Sequence, residues 1–123
     1  MQFLIIGLGG FLGAIARFLM IKYLNPLVSF IPFGIFAANV TGSFLMGLLL
    51  YLTISGQYVP ESYKNFIAIG FLGSFTTMST LATDSFRMMD SGEFFLAFIN
   101  LIFNVFFCLL AVLLGKITAE YIF

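Results

Sequence analysis

The sequence has no histidine and one cysteine, Cys108, among its 123 residues. Those shortages remove His-dependent catalysis, an internal disulfide and a transition-metal site. Cys108 falls inside an apolar run and reads as a small core residue. Charge is equally scarce: five basic and five acidic residues make up 8% of the chain and cancel. A soluble domain carries roughly a quarter charged residues, so this composition excludes one. The balance gives no reason to expect a nucleic-acid partner. No pair of groups resembles an acid–base couple, so an enzyme is not expected. What the chain has in quantity is apolar surface, 62% hydrophobic with 18 phenylalanines. That is an integral membrane protein, with lipid as its surroundings.

Four apolar stretches lie near 3–24, 33–54, 65–86 and 94–115. Each has about the ~20 residues that a bilayer-crossing helix needs. The connections carry the breakers: Asn25-Pro26 and Pro32, then Gly56 to Pro60, then Asp90-Ser91-Gly92. We therefore expect an all-α, multi-pass protein, a single four-helix membrane domain over residues 1–123. Ala14-Ile15-Ala16 imitates a signal-peptide cleavage site, but no basic region precedes it, and we read the first stretch as a helix. Lys22 and Arg87 fall on one side of the membrane, Lys64 and Lys116 on the other. The positive-inside rule then prefers neither orientation. Such a chain is expected to insert both ways and pair antiparallel.

The third stretch contains Gly70-Phe71-Leu72-Gly73-Ser74-Phe75-Thr76-Thr77-Met78-Ser79-Thr80, with a break expected near 73–77. Irregular backbone at membrane depth survives only when buried in protein or lining a cavity. The break is thus a candidate ion or solute site; the alternative is a close-packed interface of small residues.

Polar residues recur at helical spacing in every stretch. Gly9, Gly13 and Arg17 share one face of the first, where an arginine at depth suits a watery cavity better than lipid. Asn39, Gly42, Ser43 and Gly47 mark the second; the Asn39 amide is either an anion donor or interhelical glue. In the third, Met78 and Leu81 share a face flanked by Ser79, Thr80, Thr83 and Asp84, with Asp84 a partner for Arg17 or Arg87. Asn100, Asn104 and Cys108 form a polar line on the fourth, a solute track or a buried seam. Neutral donors plus one embedded cation describe a small pore or transporter favouring an anion.

The set Gly9-Gly10-x-x-Gly13-Ala14-x-x-Arg17, then Pro32-Phe33-Gly34 leading to Asn39-x-x-Gly42-Ser43-x-x-x-Gly47, then the Gly70 to Thr80 stretch, resembles the Fluc (CrcB) fluoride channels. The resemblance covers the whole chain in order. It implies a fluoride-specific channel in the plasma (inner) membrane, exporting fluoride from the cytoplasm down its electrochemical gradient. It also implies an antiparallel, dual-topology dimer with two pores at the subunit interface. The implied pore residues are Arg17, Asn39, Ser43, Met78, Ser79, Thr80, Leu81, Asn100 and Asn104. A structural sodium ion at the dimer axis would be held by the backbone carbonyls of Gly73 and Thr76. Family members commonly carry phenylalanine where this chain has Met78 and Leu81, and the ring edges contact fluoride. The substitutions raise the expectation that this chain is one half of a heterodimer with a paralogous subunit, or a non-conducting partner, rather than a homodimer. A small multidrug antiporter is the remaining alternative. It needs a carboxylate in the first helix, and no acid occurs between Met1 and Tyr51.

Overall fold

Four helices long and apolar enough to cross a membrane make up the computed structural model, which describes residues 1–123. They are α1 (Gln2–Leu24), α2 (Phe33–Ile54), a third rod spanning Glu61–Asp90, and α4 (Phe94–Ile122), with no strand. The third rod is broken in mid-course, as expected. Its first part, α3a, covers residues 61–75 and its second, α3b, is Met78–Asp90. Between them Thr76 (φ −85°, ψ 151°) and Thr77 (φ −152°, ψ 122°) are extended.

The third and fourth helices overrun the expected bounds 65–86 and 94–115, beginning at Glu61, ending at Asp90, and reaching Ile122 respectively. Hydropathy stops at the first charged residues, but a helix does not. Pro60 precedes the third rod and Glu61 sits in its first turn, where a negative charge complements the helix dipole. Lys116 and Glu120 simply carry α4 past the apolar run. Hydropathy and spacing gave no sign that Asn65–Leu72 of α3a is π-helical, a rare form that is frequent at functional sites.

Two helix pairs form the subunit, and glycines set both. In the first pair, α1 packs on α3a: a Cβ on Gly9 or Gly13 would strike the carbonyl of Phe66 or Phe71. In the second, α2 packs on α4: one on Gly47 would strike the Val112 carbonyl, and one on Gly115 the Phe44 carbonyl. Backbones this close are the usual result of small residues on membrane helices. The break changes the third rod's partner, because α3a lies on α1 whereas α3b packs on α4. The buried apolar side chains are Ile35, Ala38, Leu72, Phe75 and Leu81, with Ala97, Ala111 and Ala119 on α4. Only 20 of 123 residues are buried, so most of the apolar surface is left for lipid or another subunit. At the ends, Asn25 Oδ1 accepts the Gly34 N–H at 2.7 Å, tying the first connection to the start of α2.

Candidate pore wall

Asn39 of α2 holds the break open. Its Oδ1 accepts the Thr77 backbone N–H at 2.8 Å, which fixes the amide's orientation because an N–H must face oxygen. Its Nδ2 donates to the Thr77 carbonyl at 3.2 Å and to Asn104 Oδ1 at 3.1 Å. In a continuous helix the Thr77 N–H would instead serve the Gly73 carbonyl. One turn on, the Thr77 hydroxyl oxygen caps α3b by accepting the Thr80 N–H at 3.2 Å, a donor that would otherwise serve Thr76. The Gly73 and Thr76 carbonyls are therefore left without backbone partners. Gly73 is exposed and Thr76 half-buried on the subunit surface. Two neutral, hard oxygens at membrane depth thus have no donor of their own, and groups of this kind can serve as part of a cation's ligand set.

Beyond Asn39 the polar contacts continue as a ladder. Asn104 Nδ2 donates to the Asn100 carbonyl at 3.0 Å and to its Oδ1 at 3.4 Å. Asn100 Nδ2 donates to Ser85 Oγ of α3b at 3.0 Å. Every buried side-chain nitrogen or oxygen has a partner. For Asn100 this makes the polar line of α4 a buried seam. Asn104 is as deeply buried, yet it also borders a groove.

That space is a groove of about 360 Å³ between α2, α4 and the start of α3b. Asn39, Ser43, Met78, Leu81 and Asn104 line it, with Cys108 beside them. No carboxylate, lysine or arginine reaches it. Its wall is apolar except for two amides and the hydroxyls of Ser43, Thr76 and Thr77.

The family model for the CrcB-like protein, Camphor Resistance (CrcB), matches residues 4–116. The chain belongs to the CrcB family. Among CrcB relatives, the fluoride-specific ion channel FluC of Methanocaldococcus jannaschii is 42% identical over 122 residues, covering 99% of this chain and 97% of the relative. That of Campylobacter lari is 42% identical over 114 residues, covering 91% and 92%. That of Magnetococcus marinus is 38% identical over 123 residues, covering 99% and 100%.

In this CrcB chain the groove gathers five of the nine expected pore residues, and the other four lie off it. Ser79 and Thr80 turn their hydroxyls to Thr77 Oγ1, at 3.1 and 3.3 Å, and so reinforce the cap. Asn100 is buried away from the groove and bonded to Asn104 and Ser85. Arg17 is half-buried on α1, and the subunit's one ion pair joins Asp84 to Arg87 at 3.7 Å, not to Arg17. Met78 and Leu81 also part company: Met78 is 66% exposed, whereas Leu81 is 2% exposed and belongs to the core. Two residues of this hydrogen-bonded cluster escaped the sequence reading, Thr77 and Ser85. Thr77 carried a signal, a threonine before a helical turn after a glycine-rich stretch. Ser85 carried only its spacing, two helical steps beyond Thr77 on the face of Leu81.

Proposed function

We propose that this chain forms a fluoride-specific channel, passing fluoride out of the cytoplasm along the groove beside the helix break. The single observation that carries the reading is the groove's lining: amide and hydroxyl groups on an apolar wall, without a titratable carboxylate. The relatives named fluoride-specific ion channels support it. Fluoride is compact and strongly hydrated, so a wall that admits it must replace water with hydrogen-bond donors. The Asn39 N–H now given to Asn104 is such a donor. Exchanging a neutral amide acceptor for an anion makes the bond roughly twice as strong. Ser43 adds a hydroxyl on the same wall. Chloride, larger and a weaker acceptor, recovers less of its hydration there. Arg17, unpaired within the subunit, raises the local concentration of anions.

The chain acts in the plasma membrane as an antiparallel dimer, with a second copy or a paralogous subunit. The exposed Gly73, the freed carbonyls and the extensive apolar surface support a partner over the break. The balanced charges of the connections support antiparallel pairing. Gly73 and Thr76 would hold a sodium ion, whose charge would neutralise their carbonyl dipoles and brace the break. The exposed Met78, where a phenylalanine would present a ring edge, favours a partner that supplies the ring. The test is efflux from proteoliposomes followed with a fluoride electrode, with the chain alone and with the paralogue. Rapid fluoride efflux with negligible chloride efflux supports the channel; equal efflux of both, or proton-coupled drug uptake, contradicts it.

A further inference from the structure

Of the 13 residues of α3b, only Leu81 and Ser85 are buried. The segment has left α1, scarcely touches α2 and rests on α4. Upstream it hangs from two extended residues, Thr76 and Thr77, which leave its tilt free. Its far end is tied to α4 by the short turn Ser91–Glu93, and three side-chain contacts hold the rest: the Asn39 clamp on Thr77, the Leu81 side chain, and the Ser85–Asn100 hydrogen bond at 3.0 Å. The last is sealed from water, since Ser85 is 1% exposed and Asn100 3%. It also closes a circuit. Ser85 leads to Asn100, Asn100 to Asn104, Asn104 to Asn39, and Asn39 back to Thr77 on the same helix.

We propose that Ser85 and Asn100 are positioning residues for conduction. Neither lines the groove; together they hold α3b at the tilt that keeps Thr77 on Asn39. Thr77 and Ser85 lie roughly two helical turns apart, so a pin on each side of Leu81 stops the segment from rocking about it. Without the outer pin, the Thr77 end moves against Asn39 and the groove loses its shape. The inference rests on the fluoride reading of the groove.

The test compares fluoride efflux, per assembled channel in proteoliposomes, across four proteins. Ser85→Ala leaves the Asn100 amide buried without its acceptor, and efflux is expected to fall about tenfold. The pair Ser85→Ala with Asn100→Leu removes both polar partners together, which spares stability. It is expected to assemble like the wild type and still conduct about tenfold less. The swapped pair, Ser85→Asn with Asn100→Ser, rebuilds a hydrogen bond between the same positions and is expected to restore efflux to within about threefold. A purely structural role predicts the opposite for the apolar pair, namely wild-type efflux once assembly is intact. That result, or a swapped pair no faster than Ser85→Ala, overturns the inference. No fluoride efflux from the wild type overturns the fluoride reading itself, and the inference with it.

Discussion

The two parts of the third helix are held in opposite ways. Backbone fixes α3a: Gly9, Gly13 and Gly70 bring its chain onto α1 so closely that no side chain fits between them. By contrast, α3b is held by one buried leucine and a few hydrogen bonds from asparagine and serine side chains. The first grip is rigid and all-or-none. The second is made of separable contacts, each open to single substitution. A channel needs both: a scaffold that survives in lipid and, beside it, a polar surface whose groups can meet an ion. The break at Thr76 and Thr77 is where one regime gives way to the other.

The contrast breaks most sharply at α1. Gly9→Val forces a branched side chain into the Phe66 carbonyl, which only a backbone shift relieves. We expect a cost of about 3 kcal/mol or more, with loss of assembled protein on size-exclusion chromatography in detergent. On the α3b side, Leu81→Phe overfills a site that is 2% exposed and should cost about 2 kcal/mol. Met78→Phe, at an exposed position, should change thermal stability by less than about 0.5 kcal/mol. If ring edges at these positions aid fluoride, Met78→Phe raises efflux while Leu81→Phe lowers it, both measured in proteoliposomes. Thr77→Val falls between these two in its cost. It removes the cap of α3b at about 1 kcal/mol but keeps the backbone bonds to Asn39, so the protein assembles and efflux falls severalfold.

Much of this architecture was legible in the residues. The four spans follow from apolar length, and the break from glycine and hydroxyl residues where lipid tolerates none. The far ends of the third and fourth helices were not, because hydropathy marks the membrane's edge and not the helix's. The π-helical turns of Asn65–Leu72 left no trace in composition. Asn39, Asn100 and Asn104 stood out as costly in lipid, yet whether they served an ion or one another depended on partners. Asn39 meets Thr77 across 38 residues and Asn104 across 65. No local pattern reports such pairings. The same limit left Asp84 open between Arg17 and Arg87 until the structure joined it to Arg87.

Asn39 joins the two regimes, and its amide is the place to test the pore most directly. In Asn39→Asp a carboxylate oxygen still accepts the Thr77 N–H, but both N–H donors are gone and a negative charge stands on the wall. Charge at that depth is poorly screened and repels an anion strongly. The decisive measurement is fluoride efflux from proteoliposomes containing equal amounts of assembled wild-type and Asn39→Asp protein. We expect the variant to assemble and its efflux to fall at least ~100-fold, since a few kcal/mol of repulsion suffices. Undiminished fluoride efflux through assembled Asn39→Asp would mean that the ion's path lies elsewhere in the molecule.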